Sequence, residues 1–516
     1  MPRHGVQRPT NSAIYDALAA SVSRLVRTRP GRKLKRELFL ANGGILSYEA
    51  HGNAIDDGLV EAGTPECRGP SEAILYQRAQ DSLVAHAIPD AIRTLGGGEL
   101  TLLKNCRDAE GHTYGAQENY EVEIARGGRL FAWRAGVIAL IPLVAICAFV
   151  TWAMMLAVAA LLIATVLVVS LCSLVPRLQG IRAWVTPEGP ILRALQTPLM
   201  WLERGIWEPP MILFLALYRL CAFCELRRGL LPFLISRPII SGAGTLVDDR
   251  FKLSEKGVAV RRVSRRWLGR ALGIFEPGNL CKSLRGPALL DFRTFLTLFR
   301  RRQRFQLGLS DSNMAQTAEY LKLATTLLVI DLAEAGALRD LAPVHEPLQI
   351  LRAIVDGDHA AALTLQRSYL EAARRFTRGA PAVPLEVSEV VTRWAATLDA
   401  IEHAPETLVG QLDWITKQTL IGRAGETPDE RKKIDLKYHE LDTGYFAALE
   451  ARHLAPMLVT PEEARLAWNE APTTTPARAR ARLIRNLVDV AKVTVGWDQV
   501  KVGGKVIRLD DYRDDE

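Results

Sequence analysis

Apolar positions recur at every third or fourth residue over Ser12 to Val26, which predicts a helix; the pattern then switches to alternation over residues 37–50 (ELFLANGGILSYEA). Asn42-Gly43-Gly44 marks the turn between two strands in that stretch. Helical spacing returns from Ser71 to Ala87, with Ser71 and Glu72 in the first turn, and residues 100–125 read as strand, loop, strand. Beyond Gly229 the sequence GLLPFLISRPIISGAG and the strand-like FKLSEKG resume mixed structure. Residues 304–336 read as a strand, a polar turn and an amphipathic helix ended by Gly336, and helical spacing continues to about Leu420. The turn Asp442-Thr443-Gly444 and the strand-like Val493 to Leu509 predict a small mixed C-terminal domain. The hydrophilic parts are therefore expected to be α+β.

Between those parts the alternation disappears. From Leu130 to Val175 the chain is almost wholly apolar, Arg134 being the only formal charge, and the run is roughly twice the ~20 residues that one helix needs to cross a bilayer. Two spans, about 130–150 and 153–175, turning near Phe149 to Met154 with Trp152 at the interface, would fit and would return the chain to its starting side. Arg126 and Arg129 before the run and Arg177, Arg182 and Arg193 after it favour the cytoplasm for both flanks. Met211 to Cys224 is too short to span and is expected to be interfacial or re-entrant. The lone Cys221-x-x-Cys224 pair lacks a second pair for zinc and reads as core or lipid-facing cysteine. The expected organisation is 1–129 and 226–425 as two parts of one catalytic domain, 130–225 as a membrane insert, and 426–516 as the C-terminal domain. This describes a multi-pass protein of the cytoplasmic membrane with its catalytic domain facing the cytoplasm.

Composition narrows the chemistry. The net charge of +8 arises from 65 basic and 57 acidic side chains, a bias suited to an anionic membrane face or a phosphorylated ligand, and no nucleic-acid partner is expected. Seven scattered cysteines suggest a reducing compartment without a disulfide framework. The polar, basic N-terminus does not read as a signal peptide. No P-loop, Rossmann glycine pattern or Ser/His/Asp order is present. Glu49, Glu61, Glu66 and Glu118 fall on strands or strand ends. Carboxylates converging on a sheet face supply the hard oxygen ligands that Mg²⁺ needs beside nucleotide phosphates, although each glutamate taken singly reads first as a solvated position. Arg237, Lys256 and the run Arg300-Arg301-Arg302-Gln303-Arg304 are the basic residues that could face those phosphates; such a run is usually a solvated or headgroup face, so one member is assigned.

The stretches LANGGILSYE, VEAGTPEC, LLKNCRDAEGHTYGAQENY, LLPFLISRPIISGAG, LGLSDSNMAQTAEYLKLATTLLVIDLAEAG, QLDWITKQTLI, IDLKYHEL and GWDQV occur in an order and context that resemble the Pup ligase and depupylase family. The resemblance covers nearly the whole chain outside residues 130–225. It implies a glutamine-synthetase-like antiparallel sheet cradle backed by helices, and a carboxylate-amine ligase or reverse amidase. The implied reaction uses ATP and Mg²⁺ to join a glutamate of a small Pup-like protein modifier to a lysine amine of a protein substrate, or undoes that bond. Carried over residue by residue, Glu49 stands at the catalytic aspartate position, Glu61, Glu66 and Glu118 at metal positions, and Glu118 also beside the nucleotide. Arg237, Lys256, Arg304, Asp311, Asn313 and Trp497 are implied at the nucleotide, while Asp413, Trp414 and Lys417 shape the core or a substrate groove. Departures are Glu49 for aspartate, Gln117 for the histidine before E-N-Y, and Lys256 for an arginine, which loses bidentate geometry. The family's opening G-x-E-x-E strand has no counterpart in Met1 to Thr10. Two readings follow: a coding sequence begun too late, or a metal-impaired pseudoenzyme serving as a membrane-tethered binding module.

Overall fold

The computed structural model describes residues 8–51, 54–108, 111–172, 190–266, 271–379, 385–473, 476–487 and 492–509. Helix α1, Asn11–Leu25, starts where Thr10 accepts a hydrogen bond from the Ala13 amide at 3.2 Å, satisfying one free donor of the first turn. Strands β1 (Thr28–Pro30), β2 (Leu38–Leu40), β3 (Ile45–His51) and β4 (Ala54–Gly63) form a four-stranded sheet in sequence order, each neighbouring pair antiparallel. The expected turn is present: Gly43 takes φ +88°, and Asn42 Oδ1 accepts the Gly44 amide at 2.9 Å. Because strand side chains alternate, Leu46, Tyr48 and Val60 face α1 and the helix α2, Pro70–Thr94, while Glu49 and Glu61 point away from that core.

A second four-stranded sheet has the order β5-β10-β9-β8, with β5 at Glu118–Glu123, β8 at Val260–Ser264, β9 at Leu272–Phe275 and β10 at Arg302–Leu307. Strand β10 pairs antiparallel with β5 from Arg302 opposite Glu123 to Leu307 opposite Glu118, which joins residues from before and after the apolar stretch in one ladder. The cradle departs from the all-antiparallel sheet that the resemblance implied: it is two sheets, and β8 runs parallel to β9. Apolar alternation locates a strand but carries no information on its direction of pairing. The second strand expected in residues 100–125 is β5; the first is reduced to isolated bridges, Leu103 with Glu440 and Arg107 with Thr113.

The apolar stretch departs from the hairpin expectation in one respect. Helix α3 runs unbroken over 46 residues, Gly127–Cys172, about 69 Å at 1.5 Å per residue. No turn forms at Phe149 to Met154, because this segment has no glycine, proline or asparagine to interrupt the ladder, and its backbone is fully satisfied as helix. The returning arm is helix α4, Pro190–Cys221: Cys147 meets Ile206 and Gly136 meets Leu217, so the two helices are antiparallel. Of the expected second span, residues 173–175 lie outside the described residues. Trp133, Val137, Leu140, Val144 and Cys147 form the buried stripe of α3, which ends at Thr151; from Trp152 onward none of its described side chains is buried. The outer face is apolar and exposed, with Ile138, Ile146 and Phe149 on it. Among the described residues one helix, Gly127–Leu167, is long and apolar enough to cross a membrane, and the bent pair Pro198–Cys221 and Cys224–Ser236 is so only if taken as one broken span.

The segment Met211 to Cys224 is two-faced. Met211, Phe214, Tyr218 and Cys221, spaced three or four apart, are buried against α3 and the central core, whereas Ile212, Leu213 and Leu220 are exposed. The chain then bends by 81° into helix α5, Cys224–Ser236, with Phe223 at φ +52° forming the corner. Cys224 Sγ donates to the carbonyls of Arg219 and Leu220 at the end of α4.

Helix α5 and the short α6, Pro238–Ser241, carry the chain into the central core, followed by the β6–β7 hairpin (Thr245–Val247 and Arg250–Lys252), α7 (Glu255–Ala259) and, after β9, α8 (Gly278–Leu284) and α9 (Phe292–Leu296). Helix α10, Gln316–Glu334, is the central element, and Gly336 at φ +76° ends it as expected. The helices after it, among them Pro347–Val355, His359–Gly379, Leu385–His403 and Asp413–Ala424, pack around it. Tyr438, Phe446 and Val459 join the same core. The strands β11 (Val493–Val495), β12 (Gln499–Val502) and β13 (Lys505–Arg508) form a separate antiparallel meander, whose small core includes Phe39 and Ile45 of the first sheet.

Candidate functional site

Glu49 on β3 and Glu61 on β4 occupy the face of the first sheet that the α1–α2 core leaves open. The register sets Ser47 opposite Glu61 and Glu49 opposite Leu59, so the two glutamates are diagonal neighbours on one face, their backbone positions roughly 7–8 Å apart. Both are exposed. Ser47 donates to Glu61 at 3.4 Å, and Lys35 lies 3.6 Å from the same carboxylate. Across from them stands Arg304 of β10, held by Asn119 of β5 at 2.6 Å from its Nε. Burial lowers the Arg304 pKa and Glu61 opposes that shift, which puts the two charges within reach of one another. Lys282 of α8 completes the basic side. Its pKa is lowered by loss of solvation and then by Lys35 and Arg304, with Glu49 acting the other way. An ammonium among cations gains from any anion placed between them. The sequence reading missed Lys282, which stands in no motif; only the folding of α8 against β10 reveals it.

The remaining acidic candidates lie elsewhere. Glu118 points inward from β5 and forms a bidentate ion pair with Arg237 at 2.9 and 2.8 Å, both side chains buried. Arg237 is completed by Thr326 Oγ1 at 2.6 Å and the Leu309 carbonyl at 2.5 Å, and Tyr120 donates to Glu118 at 2.6 Å. Burial raises the Glu118 pKa, but Arg237 and Lys322 outweigh it and hold the carboxyl below the ordinary range. Neither residue faces the open cleft: the expected metal ligand and the expected phosphate arginine bind each other. Glu66 is likewise engaged, by Arg480 of the helix Pro476–Asn486, which is fully buried and also donates to the Gly43 carbonyl at 2.9 Å and the Trp497 carbonyl at 2.8 Å. The Trp497 ring stacks over that guanidinium at 4.7 Å and meets Phe39 edge-on at 5.5 Å. Trp497 is therefore at the rim, where Arg32 lies within electrostatic reach of both Glu61 and the neighbouring Asp498.

Asp311 accepts four donors: the amides of Ala243, Glu255 and Lys256 at 2.9, 3.1 and 2.8 Å and the Ser254 hydroxyl at 3.1 Å. Asn313 donates to Asp413 at 2.8 Å and to the Ser241 carbonyl at 3.0 Å. These contacts make the S-D-S-N loop a latch between α6, α7 and α10; they engage the Asp311 carboxylate and the Asn313 amide nitrogen and leave the buried Asn313 Oδ1 without a partner among the described residues. Lys256 is buried at the start of α7, behind the cleft. Asp413, Trp414 and Lys417 are core residues, as expected: Trp414 Nε1 donates to the Ile239 carbonyl at 2.9 Å, and Lys417 pairs with Asp435 at 3.0 Å.

Among the described residues no group of three or more His, Cys, Asp or Glu side chains could hold a metal ion. Of the expected metal ligands, Glu61 keeps an exposed carboxylate on the open face, and Mg²⁺ is commonly held by one or two carboxylates together with substrate phosphates and water.

The comparisons agree with this architecture. The "Pup-ligase protein" family profile matches residues 10–501. A Pup–protein ligase of Acidimicrobium ferrooxidans is 31% identical over 302 residues, covering 54% of this chain and 64% of the relative. A Pup deamidase/depupylase of Mycobacterium tuberculosis is 24% identical over 543 residues, covering 95% and 85%. The chain thus spans less than two thirds of the length of the Acidimicrobium ligase. The structure of the Pup ligase PafA in complex with ADP superposes with a TM-score of 0.61 at 20% identity, covering 92% of this chain and 85% of that one. The complex of Pup with PafA gives 0.64 at 20% identity, covering 98% and 85%. The chain belongs to the Pup-ligase protein family.

Proposed function

We propose that the chain is an ATP- and Mg²⁺-dependent carboxylate-amine ligase, or the reverse amidase, acting on a glutamate or glutamine of a Pup-like modifier and a lysine amine. The observation that carries this reading is the open face on which Glu49 and Glu61 confront Lys35, Arg304 and Lys282, in a chain of this family. Bound beside Glu61, Mg²⁺ would offset phosphate charge and leave the Glu49 carboxylate free for proton transfer. Arg304 and Lys282 act on the opposite side, where their charges stabilise the oxygens of a phosphoryl group in transfer. Glu49 takes a proton from the attacking lysine ammonium in the ligase direction, or from water in the reverse one. In both directions the base must be ionised and solvent-accessible, and Glu49 is exposed. Glu49→Gln is expected to abolish turnover in a modifier-conjugation or isopeptide-cleavage assay while nucleotide affinity, by calorimetry, stays within about threefold. Unchanged turnover would remove Glu49 from the role of base.

The second reading, a catalytically impaired binding module, is favoured by the engagement of Glu66, Glu118 and Arg237 in ion pairs. Mg²⁺-dependent nucleotide binding by the purified chain separates the two; its absence favours the binding module.

The reading includes a membrane tether. Past Thr151 helix α3 continues for about 20 residues with none of its described side chains buried, a length close to the ~30 Å hydrocarbon thickness, with α4 as the returning arm. Glu118 and Arg237 flank this insert and touch, which supports a chain that comes back to the side it left, and Arg126 and Arg129 beside the start of α3 favour the cytoplasm for that side. Retention in the membrane pellet after alkaline extraction, lost on replacing residues 127–221 by a short linker, is the expected result; a soluble full-length chain would refute the tether.

A further inference from the structure

The segment from Arg285 to Leu298 is a lobe standing against the two long helices. The 3-10 turn Gly286–Leu289 packs on α3, Trp133 Nε1 donates to the Leu298 carbonyl at 2.7 Å, and Arg134 Nε donates to the Phe299 carbonyl at 3.1 Å. Arg285 forms an ion pair with Glu203 of α4 and lies 5.5 Å from the ring of Trp207, whose Nε1 donates to Thr151 at 3.0 Å. The lobe therefore lies along the helices, with its Arg285 end at the height where the buried stripe of α3 ends and its Leu298 end near Trp133. Inside the lobe, Ala288, Phe295 and Leu298 are buried. Its outer surface is as apolar as its inner one: Leu289, Leu290, Phe292 and Leu296 are 66%, 63%, 58% and 60% exposed. Four large apolar side chains crowded into eight residues form a patch rather than the scattered exposure that any surface shows. Arg293 is exposed among them. On the neighbouring arm Trp201 is exposed with Arg204 over its ring at 5.5 Å, the aromatic-plus-cation combination of a membrane boundary.

We propose that this lobe is a second membrane contact, whose apolar tip enters the boundary between headgroups and acyl chains beside the α3–α4 pair, with Arg293 directed to anionic headgroups. The proposal rests on the membrane-tether reading above. A bilayer is the occupant because the patch adjoins a helix already apolar enough to cross one, and its Arg285 end lies at the level where that helix leaves the protein. One consequence concerns the cleft. Helix α8 carries Lys282 and leads directly into the lobe, so a lobe held on the bilayer holds one wall of the cleft at the membrane surface. The protein substrates it would serve are those presented there.

The test uses the full-length chain in nanodiscs of phosphatidylcholine and phosphatidylglycerol, with a fluorescent amino acid placed singly at Leu290, at Leu161 of α3, or at exposed Arg375 as a control. Lipids carrying a nitroxide near the headgroup are expected to quench the Leu290 probe by about twofold or more, as befits a side chain in the boundary layer, and to leave Arg375 unchanged. Quenching of a deep label at Leu161 by mid-chain nitroxide reports the tether independently. If Leu161 is quenched and Leu290 is not, the lobe contact is wrong while the tether stands. If neither is quenched, the tether fails and the lobe contact with it. A Leu290 emission that is shifted in lipid-free protein in proportion to its concentration, and insensitive to nitroxide lipid, would assign the patch to a second copy of this chain and overturn the proposal.

Discussion

Glu118 and Arg237 illustrate what charge alone leaves undetermined. Both residue types suit a nucleotide site, yet the β5 alternation settles their role: Glu118 shares its strand face with Val122, which is buried, while Asn119 on the opposite face reaches Arg304. The inward direction was thus legible in the period-two pattern, although the partner 119 residues away was not. Removing one member of such a pair leaves an uncompensated buried charge, so Glu118→Gln is expected to cost about 3–5 kcal/mol in urea unfolding. If Glu118 were instead a solvent-facing metal ligand, stability would hardly change and Mg²⁺ affinity would fall. A second buried carboxylate behaves differently. Glu255 accepts the Cys106 amide at 2.6 Å and lies 3.5 Å from His439, and burial, opposed by Lys417, pushes its pKa from 4.5 up to about 8. The folded chain holds this proton more tightly than the unfolded one. Its contribution to stability is therefore full below pH 4.5 and is lost as the pH rises towards about 8. Glu255→Gln, neutral and of the same shape, is expected to flatten that part of a Tm-against-pH curve; an unchanged slope would assign the pH dependence to other groups.

At the scale of elements, the sequence was most legible where a turn or a stop is chemically marked. Asn42-Gly43-Gly44 and Gly336 stand where the backbone takes positive φ, and the strand–turn–helix order of residues 304–336 is the observed one. It was least legible where nothing marks a break, since a uniformly apolar run is compatible with one helix or two and α3 resolves it as one. Pairing direction was silent for the same reason in β8 and β9. Gly43 also has a second constraint: a Cβ there would lie 2.8 Å from the Ala477 carbonyl oxygen, at φ +88°. Gly43→Ala is accordingly expected to destabilise by about 1–3 kcal/mol through strain at this turn. Hydrogen exchange should show the loss first in the helix Pro476–Asn486, which would be pushed from the first sheet; protection unchanged there would mean that the turn adjusts alone.

For the whole molecule, the motif order foretold that residues on either side of the apolar stretch complete one fold, and the β5–β10 ladder realises it. What the order could not foretell is how the C-terminal meander meets the first sheet, because that contact joins residues distant in sequence: the apolar cluster around Phe39 and Ile45, and one arginine in an unremarkable helix. Arg480 joins three parts at once: it pairs with Glu66 after β4, donates to the Gly43 carbonyl in the β2–β3 turn, and supports Trp497 ahead of β12. Its loss separates the two readings of Glu66. In Arg480→Met the chain length of the side chain is largely kept while the charge and its donors are gone, so Glu66 is released and the Trp497 ring loses its cation. If Glu66 is a latch, as its geometry indicates, the variant should lose about 3 kcal/mol or more of stability, with faster exchange in β11–β13 and Mg²⁺ affinity no higher than before. If Glu66 is instead a metal ligand held back by Arg480, the same variant should bind Mg²⁺ with nucleotide more tightly, by about tenfold for one added carboxylate. Titration of both proteins with Mg²⁺ at saturating nucleotide, alongside exchange measurements, decides between a docking arginine and a restraint on the metal site.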